Sequence, residues 1–123
     1  MSKQGSIALI DDDESFRPAL LESLLSLGYD VHDFASAEDF IDSGGMIYYG
    51  CIITDVHLTG MSGIDFKKLL ASSGLDVPVI MITARSDPGL ESRAAASGAI
   101  CLLIKPFEIS ALIACLEKAL GAR

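Results

Sequence analysis

The hydrophobic positions fall into two rhythms that alternate along the chain. Four short runs are apolar almost throughout: residues 6–10, 51–54, 78–83 and 99–104. A fifth, 29–34, alternates apolar and polar side chains (Tyr-Asp-Val-His-Asp-Phe). The first four read as strands buried on both faces, and the fifth as a half-buried edge strand. Between them, apolar residues return every three or four positions, as in helices that bury one face.

The helix boundaries follow from capping chemistry. The first helix carries Phe16, Leu20, Leu24 and Leu27 on one stripe, flanked by Leu21 and Leu25, and Gly28 closes it. With Asp13 as N-cap, Pro18 would fall past the first turn at a cost of up to ~3 kcal/mol. With Ser15 as N-cap it takes the third helical position, where no donor is needed, so Ser15 is the expected cap. Ser36, with Asp39 three residues on, starts a short helix that turns Phe40 and Ile41 inward and stops at Gly44-Gly45. A loop over 46–50 leads to the third strand. The third helix, 64–73, presents Phe66, Leu69 and Leu70, with Gly74 as its stop. Asp87-Pro88 has N-cap and N1 chemistry for a fourth helix ending at Ser97, thin in large apolar residues (Leu90 and several alanines). The last, 108–120, carries Ile109, Leu112, Ile113, Leu116 and Leu120.

Five strands alternating with five helices predict an α/β protein. The expected fold is a doubly wound, flavodoxin-like (βα)5 with a five-stranded parallel sheet and helices on both faces. With 123 residues and no repeat, low-complexity stretch or linker, one domain spanning 1–123 is expected, large enough to bury a core unaided.

Composition narrows the function. Half the residues are hydrophobic, yet no apolar run approaches the ~18 residues of a membrane span, and residues 1–5 lack a signal peptide's apolar stretch. A cytoplasmic location is expected. The net charge of −8, with nine Lys plus Arg, disfavours direct contact with nucleic acid or anionic lipid. Cys51, Cys101 and Cys115 have no CxxC spacing and lie in apolar segments, so buried reduced thiols are expected. His32, on the polar side of its strand with no Cys or carboxylate cluster, reads as a solvated histidine.

The candidate chemistry lies at the strand ends. Parallel strands deliver their carboxyl ends to one edge, where ligands of open α/β sheets sit. Four of the five place a polar residue there: Asp11 and Asp12, Asp55, Thr83 and Lys105. Each has an ordinary reading: the aspartates as helix caps, Thr83 as a β-branched strand residue, Lys105 as a surface charge. Their coincidence at one edge favours a site. Three carboxylates in one cleft repel unless a cation neutralises them, and carboxylates with water suit Mg²⁺. A lysine and a hydroxyl beside them can bind a phosphoryl group.

This constellation, together with Gly63 after the Asp55 loop and the Lys105-Pro106-Phe107 run, resembles the receiver domain of two-component response regulators, the CheY-like superfamily, over essentially the whole chain. The resemblance implies that Asp55 accepts a phosphoryl group from a sensor histidine kinase or phosphotransfer protein. It implies Mg²⁺ held by Asp11, Asp12, Asp55 and the backbone carbonyl of His57, with Lys105 and Thr83 binding phosphoryl oxygens. It also implies a cis Lys105-Pro106 bond. The output face would be the fourth helix, fifth strand and fifth helix, working for a stand-alone receiver or for the receiver portion of a transcriptional regulator. Three positions depart from the pattern. Thr59 replaces a proline, which implies a less rigid loop; His57 puts a ring beside the phosphoacceptor; and Leu102 stands where an aromatic switch residue is usual.

Two other classes share parts of this pattern. A flavin carrier needs a Ser/Thr/Gly phosphate loop after the first strand, where Asp11-Asp12-Asp13-Glu14 would repel the flavin phosphate. An aspartate-nucleophile phosphohydrolase needs a second Asp at position 57.

Overall fold

The computed structural model describes residues 6–44, 49–85 and 87–121. The expected loop 46–50 and the N-terminal residues 1–5 thus lie wholly or largely outside the described residues. Five strands, β1 (Ser6–Ile10), β2 (Asp30–Phe34), β3 (Cys51–Asp55), β4 (Val79–Thr83) and β5 (Cys101–Ile104), alternate with five helices. These are α1 (Phe16–Ser26), α2 (Ala37–Asp42), α3 (Gly63–Ser72), α4 (Leu90–Ala96) and α5 (Ile109–Leu120). The strands form one parallel sheet in the order β2-β1-β3-β4-β5, with β2 at an edge.

Every residue of β1, β3 and β4 is buried, as their apolar runs require. Successive side chains point to opposite faces, so each strand feeds two cores. Ile7, Leu9, Ile53, Ile80 and Ile82 pack with Leu20 and Leu24 of α1 and Leu112 and Leu116 of α5. Ala8, Ile10, Ile52 and Met81 pack with Phe40 of α2, Phe66 and Leu70 of α3, and Leu90 and Ala94 of α4. The stripe on α1 is shorter than its periodicity suggests. The helix ends at Ser26, and Leu27 stands 52% exposed just before the turn at Gly28.

Two expectations are corrected and one is refined. Ser15 is the N-cap residue of α1, as expected, and Pro18 takes the third helical position, but the Ser15 side chain makes no capping bond. Asp13 does the capping: its Oδ1 accepts from the backbone N–H of Ser15 (2.8 Å) and Phe16 (3.0 Å), and its carbonyl accepts from Arg17 N–H (2.9 Å). A single Asp13 carboxylate oxygen thus accepts both bonds. The fourth helix starts at Leu90, not at Asp87-Pro88, because Gly89 adopts φ +81°, which interrupts helical geometry. The cysteines are not all free thiols. Cys101 on β5 and Cys115 on α5 form a disulfide with Cα atoms 6.3 Å apart, while Cys51 is free and buried. Spacing along the chain could not show this pairing; α5 lying across β5 creates it. By contrast, Ser36 Oγ accepts from Asp39 N–H at 2.9 Å, as its sequence context suggests. His32 is a largely exposed strand residue beside Asp30.

Candidate functional site

Register brings the strand ends together. Ile10 pairs with Thr54, Asp55 with Ile82, and Thr83 with Ile104, so Asp11, Asp55, Thr83 and Lys105 emerge along one edge. The Lys105 ammonium lies between two carboxylates, donating to Asp11 Oδ2 and Asp55 Oδ2 at 2.9 Å each. Asp11 is fully buried and Asp55 nearly so. The Lys105-Pro106 peptide is cis. Phe16 lies beneath the ammonium, its ring centroid 4.0 Å from Nζ, and packs edge-on against Phe107.

Burial and charge compete here. Burial raises the Asp11 carboxyl above its ordinary range; the Lys105 and Asp13 hydrogen bonds offset only part of this, and the Asp55 charge adds to it. Burial alone would lower the Lys105 ammonium, but its hydrogen bonds to Asp11 and Asp55 outweigh that and hold it above its ordinary value. The other carboxylate oxygens are also engaged: Asp11 Oδ1 accepts from Asp13 N–H (2.9 Å), and Asp55 Oδ1 from His57 N–H (2.8 Å). Gly63 is required against this loop, because a Cβ there would collide with the Asp55 backbone carbonyl.

Asp12, expected beside Asp11 and Asp55 as a metal ligand, is placed otherwise. Its Oδ2 accepts from both the backbone N–H and the hydroxyl of Thr59, each at 2.9 Å. Thr59 therefore fastens the β3–α3 loop to the β1–α1 loop instead of loosening it, and a proline could make neither bond. Among the described residues, no three His, Cys, Asp or Glu side chains converge as a metal cage. What remains is a pair of buried carboxylates with oxygen donors only, whose mutual repulsion one lysine offsets in part. Such a hard, sparse donor set fits Mg²⁺, which keeps several of its waters.

The His57 ring turns away from Asp55. Its Nδ1 lies 3.1 Å from Arg85 Nη2, so it is the acceptor and the ring proton sits on Nε2. Nε2 is buried without a hydrogen-bond partner, 3.7 Å from Asp87 Oδ2. Thr83 is buried and faces its own loop: its hydroxyl donates to the Arg85 carbonyl (2.8 Å) and accepts from Arg85 N–H (3.1 Å). Leu102 points to the α4 face of the sheet and lines a cavity of about 150 Å³ with Glu91, Ala94, Ala95 and Ala99.

Sequence reasoning missed several supporting residues. Arg17 donates to the Asp11 carbonyl (2.7 Å), Asp33 (3.0 Å) and Glu14 (2.9 Å), linking β1, β2 and α1. Glu38 accepts from Met61 N–H (2.9 Å), bracing the Asp55 loop from α2. Arg17 carried a signal, a lone cation just after an acidic run. Glu38 and Arg85 carried none.

The response regulator receiver domain model matches residues 7–117. FixJ of Azorhizobium caulinodans, a transcriptional regulatory protein, is 38% identical over 121 residues, which is 98% of this chain and 57% of that protein. The response regulator protein TmoT of Ectopseudomonas mendocina is 34% identical over 96% of this chain and 54% of its own length. The chain thus spans a little over half the length of these curated relatives. Among solved structures, the response regulator StyR superposes with TM-score 0.87 at 35% identity, covering 95% of this chain and 59% of that one. The FixJ-N crystal structure superposes with TM-score 0.86 at 28% identity, covering 96% and 94%. Fold, family model and relatives agree: the chain belongs to the response regulator receiver domain family, the phosphorylation-controlled switches of two-component signalling.

Proposed function

We propose that Asp55 is the phosphoacceptor of this receiver. The observation that supports this most is the shared ammonium: Lys105 reaches Asp55 and Asp11 at equal distance, at the carboxyl edge of a parallel sheet. An Asp55 carboxylate oxygen attacks the phosphorus of a phosphohistidine on a sensor kinase or phosphotransfer protein. The new O–P bond forms as the N–P bond breaks, and the imidazole leaves. Lys105 then meets a phosphoryl oxygen in place of a bare carboxylate. Thr83 exchanges its bonds to Arg85 for one to the phosphoryl group.

Asp11, Asp55 and the His57 backbone carbonyl would hold Mg²⁺, joined by Asp12 once its contact with Thr59 opens. When bound, the ion supplies charge neutralisation for the transferring phosphoryl group. Phosphorylation in this family generally depends on Mg²⁺.

The switched surface is the α4–β5–α5 face, where Leu102 lines the cavity beside α4. Its partner is an effector domain or protein, and the transcriptional regulatory proteins among the relatives favour an effector domain in the same polypeptide. The net charge of −8 argues against DNA contact by the receiver itself. Among the described residues, no helix is long and apolar enough to cross a membrane.

Incubation with acetyl phosphate and Mg²⁺, followed by intact mass measurement, tests the proposal. One added phosphoryl group is expected in the wild type, and none in Asp55→Asn or in EDTA. Undiminished labelling of Asp55→Asn would overturn the assignment.

A further inference from the structure

The Cys101–Cys115 pair is not used by the phosphoacceptor chemistry, yet its position bears on it. Cys101 opens β5, the edge strand whose far end delivers Lys105. Cys115 lies on the buried face of α5 between Leu112 and Leu116. The bond closes a loop of sequence separation 14 that contains Lys105, Pro106 and Phe107. One fastening therefore spans the lysine that holds Asp11 and Asp55, and it ties two of the three elements of the α4–β5–α5 face to each other.

The two cysteines differ in exposure. Cys101 is half-buried on a strand paired on one side only, whereas Cys115 is 7% exposed. A small thiol or disulfide can reach Cys101 first, with Cys115 already in place to resolve the mixed disulfide. Cys51 is an internal contrast: fully buried in the sheet centre, with its thiol pushed up to about 12 by desolvation, it is closed to exchange.

We propose that Cys101 and Cys115 are a redox-responsive crosslink, closed by low-molecular-weight disulfides such as oxidised glutathione and opened by thiols, which restrains the segment carrying Lys105. The Cys101 thiolate attacks oxidised glutathione and releases one glutathione. The Cys115 thiolate then attacks the Cys101 sulfur and releases the second. Two protein thiols are oxidised, one glutathione disulfide is reduced to two glutathione molecules, and two protons leave the protein thiols for those products. Closing the loop removes conformations from the 101–115 segment, so its amides exchange more slowly when oxidised.

The experiment equilibrates the protein in buffers of graded reduced-to-oxidised glutathione ratio, quenches in acid, alkylates under denaturing conditions and counts free thiols by intact mass. The expected count falls from three to one in a single two-electron step and returns to three in excess dithiothreitol. Peptide mapping should place the bond at 101–115. Native alkylation should leave Cys51 unmodified, and hydrogen exchange over 101–116 should slow several-fold on oxidation. Cys101→Ser and Cys115→Ala should each abolish the step and the redox dependence of exchange. A count fixed at three in oxidised glutathione, a count fixed at one in dithiothreitol, a bond to Cys51, or exchange that ignores redox state would each overturn the proposal. If neither variant folds, the wild-type thiol count and exchange decide it. The role assigned to the Lys105 segment rests on the receiver reading, whose failure shows separately as absent phosphorylation in both redox forms.

Discussion

The two faces of the sheet are built from the same strands but covered differently. On one side lie α1 and α5, of 11 and 12 residues, packed through Leu20, Leu24, Leu112 and Leu116, with a disulfide to β5. On the other lie α2, α3 and α4, of 6, 10 and 7 residues. There a chain of aromatic contacts (Phe34, Phe40, Tyr49, Phe66) secures α2 and α3. Helix α4 is held by Leu90 and Ala94 alone among its buried residues, with a cavity behind Leu102. The difference teaches where a receiver can move. In the proposed phosphorylation Thr83 at the end of β4 would exchange its bonds, and the element next along the chain, α4, buries only Leu90 and Ala94.

The largest effects should come from truncating the firm packing. Phe66→Ala and Leu116→Ala remove fully buried side chains on opposite faces and should cost about 3–5 and 2–5 kcal/mol in urea unfolding. Leu90→Ala should cost about 2 kcal/mol or less, because short α4 can settle into the space. Equal losses at Leu90 and Leu116 would erase the contrast between the faces.

Next in size is the buried charge. Asp11→Asn leaves Lys105 paired with Asp55 alone and removes a carboxylate that burial disfavours, so it should raise the melting temperature of the Mg²⁺-free protein by several degrees, about 1 kcal/mol. The pH dependence carries a sign. A raised carboxyl binds its proton more tightly in the native state, so the Asp11 contribution falls as pH rises from the ordinary value through the raised one. Asp13, lowered by the backbone N–H groups of Phe16 and Ser15, acts oppositely: its contribution is present above the ordinary value and lost as pH falls through the lowered one. Melting temperatures of Asp11→Asn should therefore lose the falling part of the profile; an unchanged profile would contradict the assignment.

Thr59→Pro deletes both bonds to Asp12 and should cost roughly 1 kcal/mol or less, since they are exposed. It should also tighten Mg²⁺ binding by calorimetry, because Asp12 is released towards Asp11 and Asp55. Weaker binding would show that the tethered aspartate already serves the ion. The smallest effect is expected for Leu102→Tyr, within about 0.5 kcal/mol, as the cavity beside α4 offers room for a ring. NMR shifts over 90–102 should respond to a phosphoryl mimic in both forms, and silence there would locate the output elsewhere.

Element order, the buried strands and the gathering of Asp11, Asp55, Thr83 and Lys105 at one edge were legible in the sequence, because they depend on periodicity and chain direction. An apolar run between two helices has one stable place in a parallel sheet, and its last residue must face the carboxyl edge. Tertiary structure alone decided what each polar group touches. Asp12 bonds Thr59 across 47 positions, Lys105 reaches Asp11 across 94, and His57 meets Arg85 across 28. Cys101 finds Cys115 because α5 crosses β5, not because of the residues around either cysteine. Hydrogen bonds and disulfides form within a few ångströms and depend on direction, so they answer to the meeting of segments distant in the chain, which hydrophobic periodicity does not encode.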